Sequence, residues 1–473
     1  MSKDDAAGVL DTANVAAFPG SAFTPELIEE VNRKHALVLI GSKAVVMKEN
    51  GRHAPVGERI QILSVDALNQ WYRNRLYRQG EKWKTLGDLW MGDRNRRQFH
   101  GMEFAPSPDM SAGREGYYNL WQGFEVKPDP SGDCSMFIEH IEQQVCNGDV
   151  DRLNWVMSWF ASIFQRPHER IGTSLVLRGS MGSGKSLPGE IIGSLIAPHY
   201  FLVDEPRYLT GQFNAHMATC LLLQADEAMW AGDKVAEGRL KGLVTSSHQM
   251  IEYKGIDPIQ VRNHVRLMMT SNEDWVVPTG PKERRFGVFD VSDRHEQDRK
   301  YFGALVASME APGGREALLW ELLNWKLDDA VLRTIPQTEA LLDQKLKSAG
   351  SVEQWWYQCL DHGEVKAGSG WPVWLATRSM HKQYRVYCDQ YNISRPVEER
   401  SFMKTLKRMC PGFVKRRLGK AEFHDVPEDI DGHRVPSATP ANRPWGYEFP
   451  VLADARAWFD QAYGQPVDWN NDE

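Results

Sequence analysis

Residues 179–186 read Gly-Ser-Met-Gly-Ser-Gly-Lys-Ser and match the pattern G-x-x-x-x-G-K-[ST]. The apolar run 173–177 precedes them and the helix-like run 187–196 follows them, so the stretch is predicted to be strand, loop and helix. Glycines let backbone N–H groups close around phosphate oxygens, and a helix start adds its positive end. The sequence therefore predicts a phosphate-binding loop made by Gly179, Ser180, Met181, Gly182, Ser183, Gly184, Lys185 and Ser186.

This pattern also predicts which side chains contact a nucleoside triphosphate. Lys185 would reach the β- and γ-phosphates, and the Ser186 hydroxyl would hold Mg²⁺. About 40 residues later, an apolar strand-like run ends in Asp226 and Glu227. Asp226 would hold the Mg²⁺ shell and Glu227 would polarise the attacking water. An ordinary strand followed by a helix cap would have the same sequence pattern. The distance of about 40 residues from the phosphate loop favours an ATP and Mg²⁺ site.

Further polar residues are predicted to face the same nucleotide. Asn272 follows the apolar run 264–270 and would hydrogen-bond the γ-phosphate or the water, although asparagine is also a common turn residue. Arg284 and Arg285 come shortly afterwards. An arginine from a neighbouring subunit can stabilise charge developing on the γ-phosphate, whereas a solvated basic pair would look the same in sequence.

Strand-like and helix-like segments alternate around the phosphate loop. Residues 219–225 and 264–270 are apolar runs typical of buried strands, and residues 240–247 between them are helical in character. Such alternation predicts an α/β fold with a largely parallel sheet. Outside this block, the patterns predict a hairpin at 36–48 and helical segments at 151–165 and 315–345.

The composition is that of an ordinary globular protein. The chain has 473 residues, of which 42% are apolar and 25% are charged, and its formal net charge is −7. This charge argues mildly against a dedicated nucleic-acid binder, although one basic surface is compatible with it. Six scattered cysteines indicate reduced thiols, and no signal peptide or membrane span is visible. We therefore expect a cytoplasmic protein with no membrane partner.

A basic module is predicted near the C-terminus, after a Gly-rich break at 363–370. Residues 378–420 contain twelve Lys or Arg residues against three acidic ones. A helix over residues 398–409 would carry one apolar stripe and one basic stripe, the latter made by Arg400, Lys404, Lys407 and Arg408. With the strand-like run 413–418 behind it, this helix predicts a winged-helix-like DNA contact, and a solvated face is the alternative.

Three further stretches resemble a known family. They read Tyr-Asn-Leu-Trp-Gln-Gly-Phe at 118–124, Leu-Thr-Gly-Gln-Phe-Asn at 209–214 and Arg-Arg-Phe-Gly-Val at 284–288. Together with the phosphate loop and the acidic pair, they resemble the superfamily-3 helicases of phages and large DNA viruses. The family most similar to this chain is that of the phage primase-associated helicases, which are related to the poxvirus primase-helicase. The resemblance covers roughly residues 115–360.

The resemblance implies a P-loop ATPase core of the AAA+ type that assembles as a ring, usually a hexamer, with ATP between subunits. It also implies translocation along single-stranded or forked DNA. By position, Arg285 is the first choice for the arginine finger and Arg284 is the second. The family places a hairpin in the ring pore, here residues 250–262, with Lys254 and Arg262 as DNA-contacting cations. An ordinary exposed lysine is the alternative for Lys254.

The predicted layout has an α/β ATPase core between accessory parts. The parts are an N-terminal region at 1–117, a helical collar or linker at 118–170, the core at 171–300, a helical lid at 301–362, and the basic C-terminal domain and tail at 371–473. Many relatives carry a primase-polymerase domain ahead of the helicase. The region before Tyr118 contains no Asp-x-Asp or Asp-x-Glu pair for catalytic metals, so we expect a separate primase or polymerase as partner.

The hypothesis from sequence is an ATP-driven DNA helicase or translocase for replication of a phage or mobile element. If a phage encodes it, the bacterial host cytoplasm is its place of action. An initiator or helicase-loader ATPase would share the fold and motifs. A protein-remodelling AAA+ ATPase is more distant, because its aromatic pore loop would precede the acidic strand, whereas Tyr253-Lys254-Gly255 follows Glu227. A packaging motor would need a nuclease cluster, and kinases rarely need an extra basic domain.

Overall fold

The computed structural model describes residues 24–79, 81–211, 214–227, 234–252, 258–417 and 445–469. Its three main hydrophobic cores draw on residues 28–90, 121–341 and 342–467. The chain thus folds as an N-terminal region, a central region and a C-terminal region. Among the described helices, none is long and apolar enough to cross a membrane.

The N-terminal region is a small mixed sheet flanked by helices. Its elements are α1 (Pro25–Asn32), β1 (His35–Ile40), β2 (Lys43–Glu49), β3 (Ile60–Leu63), α2 (Val65–Trp71), β4 (Leu76–Gln79), β5 (Lys82–Thr85), α3 (Leu86–Gly92), β6 (Gln98–Phe99), β7 (Gly101–Glu103) and β8 (Tyr117–Asn119). β1 and β2 form the antiparallel hairpin that the sequence predicted at 36–48, with Val38 opposite Val45. β3 adds beside β2, and β6 adds beside β1.

The central region contains the strands that carry the predicted motifs. Its elements are α4 (Ser135–His140), α5 (Val150–Gln165), β9 (Ser174–Arg178), α6 (Leu187–Ser194), β10 (Tyr200–Val203), α7 (Pro206–Thr210), β11 (Leu222–Asp226), α8 (Lys234–Thr245), β12 (His248–Ile251), β13 (Ile259–Arg262), β14 (Arg266–Ser271) and β15 (Phe286–Asp290). A π-helical turn at Ile141–Val145 continues α4. Helix α5 covers the segment predicted at 151–165, and Asp149 caps its start by accepting from two backbone N–H groups.

Five strands of this region lie side by side in the order β10, β11, β14, β9 and β15, and all are parallel. β9 and β14 are buried on both faces, which is why their sequences are continuous apolar runs without alternation. The predicted α/β fold with a parallel sheet is confirmed. Helix α6 packs so closely against β11 that a glycine is needed at position 189. A Cβ on Gly189 would lie 2.0 Å from Oε1 of Gln224.

Four helices follow the sheet and cover the segment predicted to be helical at 315–345. They are α9 (Arg299–Glu310), α10 (Gly314–Asn324), α11 (Asp329–Arg333) and α12 (Glu339–Lys347). α10 packs against α5, and α12 packs against β15. The apolar side chains of α10, including Leu318 and Leu322, are fully buried in the central core.

The C-terminal region combines helices with a three-stranded sheet. Its elements are α13 (Ser351–His362), β16 (Trp374–Ala376), α14 (Thr377–Gln390), α15 (Glu399–Met409), β17 (Val414–Arg417), β18 (Trp445–Glu448) and α16 (Leu452–Tyr463). The strand order is β16-β18-β17, with both pairings antiparallel. Trp355, Trp356, Phe402 and Phe459 are at most 3% exposed and form much of its core.

Helix α12 is held against a loop of the central region by one glutamine. Gln344 is fully buried, and its Oε1 accepts hydrogen bonds from the backbone N–H groups of Val276 (2.7 Å) and Val277 (3.2 Å). Its Nε2 donates to the carbonyl of Asp274 at 2.6 Å. This side chain supplies the hydrogen bonds that a neighbouring strand would otherwise give to the loop.

The next residue of α12 connects to the C-terminal region. Lys345 is 1% exposed, and its Nζ donates to the carbonyl of Tyr463 and to Oε1 of Gln465, both at 2.9 Å. The third donor reaches Oε1 of Gln337 at 3.1 Å. A buried ammonium group is tolerated here because all three of its N–H groups have acceptors.

We expect Lys345→Met to destabilise the C-terminal region by roughly 3 kcal/mol, because buried acceptors on Tyr463 and Gln465 would lose their donor. Urea unfolding followed by tryptophan fluorescence should show a lower midpoint. Lys347→Met on the same helix is the control, since Lys347 makes partly exposed ion pairs, and it should cost less than about 1 kcal/mol. Equal midpoints for the two variants would contradict a bridging role of Lys345.

Candidate functional site

The motif predicted to bind phosphate lies between β9 and α6, and its backbone conformation explains its glycines. Gly182 and Gly184 have φ angles of 86° and 81°, in the left-handed region that glycine adopts readily. A Cβ on Gly184 would lie 2.3 Å from the ring of Phe302. Lys185 is 6% exposed, and one of its donors reaches the carbonyl of Ser180 at 3.3 Å. The lysine is therefore folded over its own loop.

A carboxylate meets this loop at the end of β11. The Ser186 hydroxyl lies 3.2 Å from both carboxylate oxygens of Asp226. Thr270 at the end of β14 donates to Asp226 Oδ1 at 2.5 Å and fixes the carboxylate orientation. Hydroxyl and carboxylate oxygens are ligands that Mg²⁺ prefers, and Mg²⁺ commonly uses one or two protein ligands beside phosphate oxygens and water. Ser186 and Asp226 fit that ion.

A second carboxyl group lies behind the first. Glu190 on the first turn of α6 has its pKa raised by burial and by the negative charge of Asp226. Nearby, Gln224 is fully buried, accepts from the Tyr200 hydroxyl at 2.8 Å and donates to the Ser186 carbonyl at 3.1 Å. These contacts fix the start of α6 relative to β11, and so they fix Ser186 relative to Asp226.

Glu227 and Asn272 lie at the same edge of the sheet. Glu227 has a left-handed φ of 53°, which is uncommon for a residue other than glycine, and its N–H donates to the Thr270 carbonyl at 2.9 Å. Both side chains are exposed. Asn272 directly follows β14, and the neighbouring Ser271 carbonyl accepts from the Gly179 N–H at 3.2 Å. The structure thus brings together the predicted residues of the loop, the acidic pair and Asn272.

A segment that the sequence did not point to packs on the loop. The N–H of Gln297 donates to the Gly182 carbonyl at 2.9 Å, and Phe302 on α9 fills the space beside Gly184. The rings of His295 and Tyr301 stack with centroids 3.9 Å apart and fix the start of α9. Residues 295–302 therefore form a cover over the loop backbone.

Arg178, the last residue of β9, anchors the loop from the other side. Its guanidinium makes a bidentate ion pair with Asp290 on β15, at 2.6 and 2.8 Å, and a further ion pair with Asp343 on α12. These contacts raise the pKa of Arg178, and the main cause is the hydrogen bonds that its guanidinium donates to Asp290. An arginine that is paired on two sides holds the strand end rather than a ligand.

The predicted arginine pair lies at the opposite edge of the sheet. The Arg285 carbonyl accepts from the N–H of Ser174, the first residue of β9, at 2.7 Å. A five-residue strand separates this point from the phosphate loop by roughly 17 Å. Arg285 is half-buried with Nη1 3.6 Å from Glu283, whereas Arg284 is exposed. Neither arginine can reach the loop of its own chain.

β12 and β13 form an antiparallel hairpin over the segment predicted to line a pore. Arg262 on β13 is exposed and lies opposite His248. Lys254, predicted at the tip, lies outside the described residues. The hairpin connects directly to the amino end of β14, so it lies at the edge of the sheet opposite the phosphate loop.

The basic stripe on α15 is on the surface, and Phe402, Leu406 and Met409 on the same helix are buried. Arg400 and Lys404 are exposed. The two remaining cations have protein partners: Arg408 pairs with Glu353 at 2.5 Å, and Lys407 lies 4.9 Å from the Tyr447 ring centroid.

An exposed tryptophan beside this stripe was missed by the sequence analysis. Trp445 is 48% exposed, and Lys415 and Arg417 lie 5.1 and 4.7 Å from its ring centroid. An exposed aromatic ring with two cations beside it has the composition of surfaces that bind single-stranded nucleic acid. The three consecutive basic residues of β17 are visible in the sequence, but the position of Lys415 and Arg417 beside Trp445 is not.

Comparison with known proteins gives partial matches. Residues 177–285 match the model of a family of unknown function, DUF5906. Over 196 residues, the chain is 23% identical to the DNA primase-polymerase of Nitratiruptor phage NrS-1. This match covers 40% of the chain and 27% of the relative, so the chain aligns with about a quarter of that protein.

Solved structures of the NrS-1 C-terminal region resemble the whole fold. One apo structure has a TM-score of 0.60 at 13% identity and covers 90% of this chain and 98% of that chain. A second has a TM-score of 0.54 at 16% identity, with coverage of 72% and 78%. At these identities the likeness shows a common fold alone. The chain is thus similar in sequence to part of a phage DNA primase-polymerase and has the fold of the NrS-1 C-terminal region.

Proposed function

We propose that this chain binds and hydrolyses Mg-ATP at the carboxyl edge of its parallel sheet. The observation that carries the proposal is the contact of Ser186 and Thr270 with Asp226 beside a glycine-rich loop. Backbone N–H groups of the loop and the ammonium of Lys185 would bind the phosphates. Ser186 and Asp226 would hold Mg²⁺, which neutralises phosphate charge when bound. Glu227 would take the proton of the attacking water, and Asn272 would orient that water.

We propose that the chain works as an AAA+-type ring, with a hexamer as the expected size. The position of the arginine pair supports assembly. The pair lies at the edge of the sheet opposite the phosphate loop of its own chain, so it could contact only a nucleotide that is bound to a neighbouring subunit. Arg285, the first choice by position, would first have to leave Glu283. Arg284 is already exposed, so the geometry makes it an equal candidate.

The proposed task of this motor is helicase or translocase action in the DNA replication of a phage or mobile element. The relative from phage NrS-1 is named a DNA primase-polymerase, which supports a place in replication. Contact with DNA through a winged-helix-like C-terminal module is part of this proposal. The exposed cations Arg400 and Lys404 on α15 support it, as do Lys415 and Arg417 beside the ring of Trp445. A separate primase or polymerase remains the proposed protein partner.

ATP turnover with and without single-stranded DNA tests the motor. Lys185→Ala should lower turnover about 100-fold or more, because it removes the ammonium group that would stabilise negative charge on the transferred phosphate. Lys326→Ala, a lysine after α10, is the control and should leave turnover unchanged. Single-stranded DNA should stimulate the wild type. Turnover indifferent to DNA would contradict the helicase and favour a loader or protein-remodelling ATPase.

Mixed assemblies test whether the arginine pair acts between subunits. Arg284→Ala and Arg285→Ala should each assemble, and the variant lacking the acting arginine should be inactive on its own. Mixing it with inactive Lys185→Ala should restore some turnover, since some interfaces then combine an intact loop with an intact arginine. Size-exclusion chromatography verifies assembly. If every mixture of assembled variants stays inactive, the proposal of an arginine acting across subunits is wrong.

The salt dependence of DNA binding tests the C-terminal surface. The double variant Arg400→Gln, Lys404→Gln should reduce the slope of log affinity against log salt by about 1.4 for single-stranded DNA, at about 0.7 per lost phosphate contact. The double variant Lys82→Gln, Lys84→Gln on β5 removes the same charge from exposed positions elsewhere. An equal change of slope in both proteins would show a nonspecific charge effect and contradict the assignment.

A further inference from the structure

One face of the three-stranded sheet in the C-terminal region carries an exposed aromatic ring. Side chains alternate between the two faces along a strand, and residues directly opposite each other on paired strands share a face. Arg417 on β17 pairs with Trp445 on β18, and Lys415 pairs with Tyr447 in the same register. These four side chains therefore lie on one side of the sheet, and together they form what we call the tryptophan face.

The tryptophan face is positively charged. Lys415 and Arg417 are exposed, and their charged groups lie 5.1 and 4.7 Å from the Trp445 ring centroid. The acidic residue of β16, β17 and β18 is Glu448, which points to the opposite side and pairs there with Arg416 at 2.9 Å. The strands themselves therefore do not neutralise the two cations beside the ring.

The positive charge continues from the tryptophan face onto α15. The Tyr447 ring is 5% exposed, and Nζ of Lys407 on α15 lies 4.9 Å from its centroid. Lys404 and Arg400 occupy the preceding turns of the same helix stripe and are exposed. The helix from Arg400 to Lys407 is roughly 10 Å long. A track of cations thus runs along α15, crosses to the strands at Tyr447 and ends beside Trp445.

The strand positions hold the Trp445 ring at the end of this track. The next residue is Gly446, where a Cβ would lie 2.3 Å from the Trp374 ring, so the opposite side of the sheet is closely packed at this point. The Thr377 hydroxyl donates to the Trp445 carbonyl at 3.3 Å. A ring whose backbone is already fixed loses less conformational entropy when a ligand binds it.

The exposure of this ring indicates a flat ligand. Trp445 is 48% exposed, although the burial of a tryptophan ring is strongly favourable. Every nucleobase has a flat face that stacks on an aromatic side chain, and cations beside the ring bind the phosphates of the same strand. An acidic protein segment would pair with the cations but would leave the ring uncovered.

Stacking also distinguishes a single strand from a duplex. The bases of a duplex stack on one another, so a protein ring reaches the face of a base only after that base is unstacked at a cost in free energy. A helix that reads duplex DNA instead lies in a groove and contacts base edges. An exposed ring at the end of a cation track therefore favours the single strand.

We infer that the tryptophan face binds single-stranded DNA, with a base stacked on Trp445 and backbone phosphates at Lys415 and Arg417. The inference rests on the proposed function, which places DNA at the C-terminal module, and it adds the form of the DNA and the mode of contact. The strand continues from the tryptophan face along the cations of α15. Affinity at this face depends on stacking and charge, so it is tolerant of base sequence.

The test measures binding of the full chain to a fluorescently labelled oligothymidylate of about 12 nucleotides, followed by anisotropy without ATP. Trp445→Ala removes the ring, and Trp445→Phe keeps an aromatic surface. Trp71→Ala is the matched control, because Trp71 in the N-terminal region is 69% exposed and has Nζ of Lys48 5.4 Å from its ring centroid. An abasic oligomer of the same length and a duplex are the comparison probes.

Trp445→Ala should bind the oligothymidylate at least about fivefold more weakly than Trp71→Ala, equal to about 1 kcal/mol. Trp445→Phe should recover most of this loss. The two alanine variants should bind the abasic oligomer equally, and likewise the duplex, because neither probe offers an unstacked base. Equal binding of the oligothymidylate by both alanine variants would overturn the inference. So would a loss of the same size with the abasic oligomer or the duplex.

The dependence of affinity on salt separates the cations from the ring. Lys415→Gln combined with Arg417→Gln should reduce the slope of log affinity against log salt by about 1.4, at about 0.7 per lost phosphate contact. Trp445→Ala should leave the slope unchanged, because a neutral ring displaces no counterions. An unchanged slope in the double variant would overturn the assignment of phosphates to Lys415 and Arg417.

These outcomes are distinct from failure of the proposed function. If the Trp445 variants bind as the control does while the Arg400 and Lys404 double variant changes the slope, the inference alone is wrong and the proposed contact of α15 with DNA is supported. If Trp445 contributes to binding but ATP turnover without DNA is absent, the proposed ATPase is wrong and the single-strand site is supported.

Discussion

The site depends on one constraint, which is that parallel strands all end at the same edge of their sheet. β9, β14 and β11 are neighbours, so the phosphate loop, Asn272 and the acidic pair follow three adjacent strand ends. The backbone ladder fixes their spacing, and two further bonds tighten it. Gly179 donates to the Ser271 carbonyl, and Thr270 donates to Asp226. Burial of β14 on both faces keeps water away from this ladder and makes the edge rigid.

The same edge is tied to the rest of the chain through α12. Asp343 pairs with Arg178 at the root of the phosphate loop, and Gln344 holds the loop that follows Asn272. Lys345 on the next position bonds to the C-terminal region. Three consecutive residues of one helix thus contact the edge of the sheet that carries the proposed nucleotide site, the segment after it and the C-terminal region. A change at the loop that moved α12 would also move the DNA-binding surface proposed for α15.

Local motifs were predictable from sequence because their chemistry lies within a few adjacent letters. The phosphate loop, the acidic pair and the parallel sheet depend on glycine positions, strand ends and apolar runs. Strand starts were less accurate: the strand predicted from residue 219 begins at Leu222, since a short 3₁₀ turn occupies Ala215–Thr219. The short strands of residues 50–119 gave no period, because most have only two to four residues.

Contacts between distant segments were not predictable. Gln297 and Phe302 contact the phosphate loop although they are more than 100 residues away in the sequence. Neither residue type is unusual at the start of a helix, so the sequence gives no sign of this contact. The cations of α15 were predicted as one group, yet Arg408 is paired with Glu353 on α13. Amphipathic spacing shows which face of a helix is polar, but the partner of each cation depends on tertiary packing. The exposure of Trp445 beside Arg417 also depends on strand pairing.

The rigidity of the sheet decides which segments can move if the proposed nucleotide site is occupied. Displacing Asn272 relative to Asp226 would shear β14 along β11 and break several ladder hydrogen bonds at once. Each broken buried bond costs about 1–3 kcal/mol, so the strand ends move together. Movement is instead expected in segments that the ladder does not hold, such as the cover at 295–302 and the hairpin β12–β13. β14 joins that hairpin to Asn272 as a rigid six-residue strand, roughly 20 Å long, so a force at one end is transmitted to the other.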